Sequence, residues 1–123
     1  MSANVKKIHI DTVSASQSGD YFQVSFDNDG TGNEDDSYFL IQWGIEFDDE
    51  DDVPCYIECN DESYIGHVEV KKATLSRNHF YIRVMDGNES KEIEITFPDQ
   101  DKEIFLEAER ILKIIVPTVI IEK

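Results

Sequence analysis

The sequence predicts an α+β fold: a mostly antiparallel sheet of six or seven strands with one C-terminal amphipathic helix packed on one face. Period-2 alternation of apolar and polar residues dominates the chain up to Phe97. No strand-like run is followed by a helical one before the end, which argues against parallel βαβ units. After Pro98 the period changes to that of a helix, in "DQDKEIFLEAERILKIIV". At 123 residues the chain has the length of a single domain, 1–123.

Taken in order, "NVKKIHIDTV" sets Ile8 and Ile10 against His9 and Asp11. "DYFQVSF" puts Phe22, Val24 and Phe26 on one face. "SYFLIQWGIEF" aligns Phe39, Ile41, Trp43, Ile45 and Phe47, and its other face, with Tyr38, Leu40, Gln42 and Glu46, marks a central strand. "CYIEC" is a short paired strand. In "GHVEVKKATLS" the inward phase runs through Val68 and Val70, then shifts to Ala73 and Leu75, so a bulge is expected at Lys71–Lys72. "HFYIRV" and "KEIEITF" complete a meander, with turns at 76–78 and at Asp86-Gly87. In the helix, Ile104, Ala108, Ile111 and Ile115 form a stripe widened by Phe105, Leu106 and Leu112. Asp99 is the candidate N-cap, Asp101 and Glu103 suit the positive end of the helix dipole, and Pro117 stops it. "TVIIEK" is a last short strand or a tail. The expected core comprises Phe22, Phe39, Ile41, Trp43, Ile82, Ile95, Phe105 and Leu112.

Charge is the most unusual property. The net charge is −16, more than solubility requires, and it repels nucleic acid and anionic membranes. Residues 27–62 hold fourteen Asp and Glu and no Lys or Arg. The N-terminus shows no apolar signal core and no run approaches the ~18 apolar residues of a membrane span, so a soluble cytoplasmic protein is expected. Cys55 and Cys59, four apart on a strand, share a face about 13 Å apart, beyond disulfide reach. Buried reduced thiols are therefore expected.

Three uses of the acids compete. As a metal site, Asp27, Asp29, Thr31 and Asp35 resemble the front half of a calcium loop, with Gly32 at its sixth position. The match stops at position 12, which is Tyr38 rather than a bidentate Glu, and the flanks are strands. A glycine-containing hairpin loop explains the same residues without a metal. As an enzyme, the chain offers no nucleophile elbow and no phosphate-cradling glycine loop. A carboxylate pair arises by chance among 27 acids. No catalytic residue and no cofactor is expected. As a docking surface, the polar sheet face carries Tyr38, Gln42, Glu46, Tyr56, Glu58, Tyr81, Arg83, Glu92 and Glu94. Tyrosine beside acid suits a Lys- or Arg-rich partner. The plain alternative is the wet face of an antiparallel sheet.

The succession "FDNDGTGNEDDSYFLIQ", "YIECND", "GHVEVKKATLSRNHFYIRV", "KEIEITF" and "FLEAERILKII" resembles a family of small immunity proteins from bacterial polymorphic toxin systems, over residues 22–115. That family pattern includes a prominent tryptophan, and Trp43 is the only one in this chain. The resemblance implies a non-enzymatic inhibitor that binds one cognate toxin. Many such toxins are basic nucleases, which suits an acidic partner. The expected docking residues are Tyr38, Glu46, Asp48, Asp49, Glu50, Asp51, Asp52, Tyr56, Glu58 and Tyr64. The alternatives are a calcium-binding or carboxylate-based enzyme, which Ca²⁺ titration would reveal, and an acidic adaptor or structural subunit. An exposed edge strand leaves a homodimer open.

Overall fold

The computed structural model describes residues 5–19, 21–27, 38–44, 55–59, 65–86 and 88–122. Nine strands and one helix follow in the order β1 (Val5–His9), β2 (Thr12–Ser18), β3 (Tyr21–Asp27), β4 (Phe39–Gly44), β5 (Cys55–Cys59), β6 (Gly66–Ser76), β7 (His79–Asp86), β8 (Glu89–Thr96), α1 (Lys102–Ile115) and β9 (Ile120–Ile121). The sheet runs β1-β8-β7-β6-β5-β4-β3-β2, and β9 pairs with β6 beside this path.

Two expectations are corrected here. There are nine strands rather than six or seven, and the sheet is mixed. The run "NVKKIHIDTV" is not one strand: the chain turns a corner at Ile10–Asp11, and a second strand, β2, follows. At that corner the Ile10 N–H donates to Thr96 O at 3.0 Å and the Asp11 N–H to Asp27 O at 3.2 Å. The bent strand is thus tied to β8 before the corner and to β3 after it. The alternation of β2 is weak because Val13 and Ala15 are its only apolar residues, Ala15 being small, while Gln17 at the next position of the same parity is polar and exposed. The parallel pairing of β1 with β8 follows from parity. All six pairings from β2 to β8 are antiparallel, so β8 runs in the same sense as β2. β1 continues into β2 and shares that sense, so it closes on β8 in parallel. β9 also pairs in parallel, with Thr74 and Leu75 of β6.

The inward parity set by the alternation holds across the sheet. Phe39, Ile41, Ile82, Ile95 and Leu112 are fully buried, while Phe22, Trp43 and Phe105 are only half-buried against the core. The core lies largely between two halves of one curled sheet. Phe26 of β3 stacks on Phe80 of β7 at 5.1 Å and also meets Phe39 and Phe97 at 6.1 and 5.8 Å. The bulge expected at Lys71–Lys72 is present: Val70 faces Val84 and Lys72 faces Arg83, so Lys71 has no opposite residue. Cys55 and Cys59 are buried thiols, not joined in a disulfide.

Helix α1 packs against β2 and β3. Its N-cap is Asp101, not Asp99: the Asp101 carboxylate accepts the Glu103 N–H at 2.9 Å. Asp99 is occupied elsewhere, accepting from Asn78 Nδ2 at 2.8 Å and facing Arg77 Nε at 3.4 Å across the β6–β7 turn. The buried stripe is also rotated from expectation. Ala108, Ile111, Leu112 and Ile115 are buried, whereas Ile104 and Leu106 are 42% and 47% exposed. The helix ends at Ile115, two residues before Pro117. Residues Ile45, Glu46 and Phe47 of the long central run lie outside the described residues.

Candidate functional site on the polar face of the sheet

Because side chains alternate, fixing Val24, Ile41 and Ile57 inside sends their neighbours to the opposite face. The register then builds two rows across β3, β4 and β5. Gln23 faces Gln42, which faces Tyr56, which faces His67 of β6. Ser25 faces Leu40, which faces Glu58. Tyr38 stands immediately before β4.

At the middle of this surface, one carboxylate is held by two phenols. The Tyr38 hydroxyl donates to Glu58 Oε2 at 2.9 Å, and the Tyr56 hydroxyl donates to Glu58 Oε1 at 3.0 Å. Partial burial, then the bond to Glu58, push the Tyr38 hydroxyl up to about 12. The same causes, in the same order, raise Tyr56. Both phenols are therefore protonated donors at neutral pH, and Glu58 accepts from both. No cation lies within ion-pair distance of Glu58 among the described residues. Around it, Gln42 Nε2 donates to Gln23 Oε1 at 2.7 Å and Gln23 Nε2 to Ser25 Oγ at 2.8 Å. The Tyr56 ring meets His67 edge-on at 5.3 Å.

The other half of the face differs in charge. Tyr81 donates to Glu92 Oε1 at 2.6 Å, and burial, then this bond, raise its hydroxyl. His79 Nε2 lies 2.9 Å from Glu94 Oε2. Here, though, Arg83 faces both Glu92 and Lys72, and Lys7 faces Glu94. That half largely neutralises itself, whereas the Tyr38–Glu58–Tyr56 half carries charge without a counterion in the described structure.

Of the expected docking residues, the structure brings together Tyr38, Tyr56 and Glu58. Glu46, Asp48, Asp49, Glu50, Asp51, Asp52 and Tyr64 lie outside the described residues. Their points of attachment are nonetheless informative. Segments 28–37 and 60–64, with four and two acids, leave from the end where Phe39 pairs with Cys59. Segment 45–54, with six acids, leaves from the opposite end, where Trp43 pairs with Cys55. Four strand residues separate the two ends, about 13 Å at ~3.3 Å per residue. The acid-rich run is thus anchored at both ends of the surface that bears Glu58. Of the calcium candidates, Asp27 is the exposed last residue of β3, and Asp29, Thr31 and Asp35 lie outside the described residues. Among the described residues no group of three or more His, Cys, Asp or Glu could hold a metal ion. Among the described residues no helix is long and apolar enough to cross a membrane.

Gln23 and His67 belong to this surface but were not among the sequence candidates. Gln23 was legible from its place between Phe22 and Val24. His67 joins only through the register of β5 on β6. No family model matches the sequence, and neither a curated protein nor a solved structure matches it.

Proposed function

We propose that this chain is a non-enzymatic binding protein whose acidic, tyrosine-bearing sheet face docks a basic protein, the cognate toxin of a bacterial toxin–immunity pair. The observation that carries this is Glu58, a carboxylate aimed by two tyrosine hydroxyls on a polar face with no cation paired to it in the described structure. An arginine or lysine of a partner completes that site. The phenols already hold the carboxylate in place, so little side-chain freedom is lost on binding. The fourteen acids of residues 27–62 supply the long-range attraction. That the partner is a toxin comes from the sequence resemblance, and its charge from the surface.

Co-expression tests the proposal. The chain should protect cells against a toxin encoded beside its gene and co-purify with it. Glu58→Gln combined with Tyr38→Phe should raise the dissociation constant at least tenfold, roughly 1.4 kcal/mol. A double variant that binds as tightly as the wild type would remove Glu58 from the interface, and failure to bind the neighbouring gene product would remove the toxin assignment.

A further inference from the structure

Strand β2 ends the sheet path, and its sequence, TVSASQS, holds no charged residue and no proline. Natural edges are usually guarded by charge, proline or a bulge. The other end strand, β1, carries Lys6 and Lys7. β2 carries neither guard in a chain of which 31% is charged; what lies beside it is α1, and Gln100, which caps Val13.

The register says which backbone groups face outward. Ser18 faces Tyr21 across a two-residue turn whose Gly19 has φ +61°, the geometry of a primed hairpin. In such a hairpin the flanking pair is hydrogen-bonded, so Ser18, Ser16, Ser14 and Thr12 bond to β3. Val13, Ala15 and Gln17 then turn their N–H and C=O groups away. Val13 confirms the phase, since its N–H donates to Gln100 Oε1 at 3.2 Å. The amides of Ala15 and Gln17 have no such cap among the described residues. Beside this edge runs a groove of about 310 Å³, lined by residues 12–15 on one side and by Glu103, Ile104 and Glu107 of α1 on the other. Ile104 offers exposed apolar surface. Glu107 is held by Arg110 at 2.7 Å, while Glu103 makes no ion pair among the described residues.

We propose that β2 accepts an extended segment of a basic partner protein as an additional strand, seated in the groove beside α1. Ala15 and Gln17 supply main-chain hydrogen bonds, Ile104 contacts an apolar side chain, and Glu103 attracts a lysine or arginine next to it. A second copy of this chain fits poorly. Pairing β2 with its own copy would juxtapose two sets of Glu103 and Glu107 on two chains of charge −16. The sign of the partner's charge rests on the binding role proposed above; the open edge does not.

The probe is a synthetic heptapeptide alternating lysine and valine, compared with one alternating glutamate and valine. Binding is read by fluorescence anisotropy, and the site by amide hydrogen exchange. The lysine peptide should bind and slow exchange at Ala15 and Gln17 roughly tenfold, with Ser14 and Ser16 unchanged. The glutamate peptide should not bind. Ala15→Pro removes one outward N–H without touching the β3 ladder and should abolish binding, while Ala15→Val keeps the N–H and should bind normally. The Tyr38→Phe, Glu58→Gln variant should also bind the peptide normally, so that failure at the sheet face and failure at the edge are separable. The proposal is overturned if the lysine peptide does not bind at millimolar concentration, if it binds without protecting Ala15 and Gln17, or if both peptides bind alike. It is equally overturned if the free chain sediments as a dimer with those two amides already protected.

Discussion

Tyr38 and Tyr56 show how a single position can be read in solution. Each phenol is harder to ionise in the folded chain than its ordinary value of 10.0, Tyr38 reaching about 12. A group whose folded pKa is raised contributes stability that is fully present below the unfolded value and lost above it. The contribution of these tyrosines to the denaturant midpoint should therefore be constant up to pH 10 and be lost between pH 10 and 12, so that the midpoint of the wild type falls there more than that of Tyr38→Phe. In Glu58→Gln the spectrophotometric tyrosine titration should move to lower pH while staying above 10, because burial remains when the carboxylate is gone. An unchanged titration curve would mean that Glu58 does not hold these hydroxyls. Both tyrosines and Glu58 were legible as outward residues from alternation alone. That they share one carboxylate was not, since Tyr38 precedes its strand and meets Glu58 only through the pairing of Leu40 with Glu58.

Helix α1 illustrates where periodicity stops being informative. Its existence, its end before Pro117 and the burial of Ala108, Ile111 and Ile115 follow from the pattern. Its start does not, because Asp99 and Asp101 are equally good caps by residue type. The choice is made by Asn78, which draws Asp99 to the β6–β7 turn. Asp101→Ala should accordingly cost about 1 kcal/mol of unfolding free energy. Asp99→Ala, which loses exposed polar contacts, should cost less. Equal losses in parallel urea titrations would contradict the assignment of the cap. Ile104 was misplaced for a related reason. The helix packs mainly against β2 and β3, which leave Ile104 and Leu106 exposed, so the apolar stripe is wider than the surface that buries it.

For the molecule as a whole, the pattern of apolar residues set which side of every strand faces in, but not how the strands close on one another. Phe26 is the residue through which the two halves of the sheet communicate, packed on Phe39, Phe80 and Phe97. Phe26→Ala should cost about 3–5 kcal/mol, a large share of the roughly 5–15 kcal/mol that holds an ordinary domain folded, whereas half-buried Phe22→Ala should cost less. Thermal or urea denaturation of the two variants provides the comparison. Charge also acts at this scale. Replacing Asp48, Asp49, Glu50, Asp51 and Asp52 by Asn or Gln should slow association with the basic partner and flatten its salt dependence, with a smaller change in dissociation. An association rate at low salt equal to that of the wild type would leave that run as a solvated segment.

The two-residue corner at Ile10–Asp11 has a consequence for the order in which the protein can be made. β2, β3, β4 and β5 are successive neighbours, so each can zip onto the last as it leaves the ribosome. β1 cannot: its partner among the described residues, β8, lies more than eighty residues downstream, as the pairing of His9 with Thr96 shows. At ~5–20 residues per second, β1 waits for several seconds after its synthesis with Ile8 uncovered. It can dock only once β8 has been made, as a clasp joining the far end of the sheet to its beginning. The lysines at positions 6 and 7 lie on this waiting strand, where charge discourages pairing with other nascent chains.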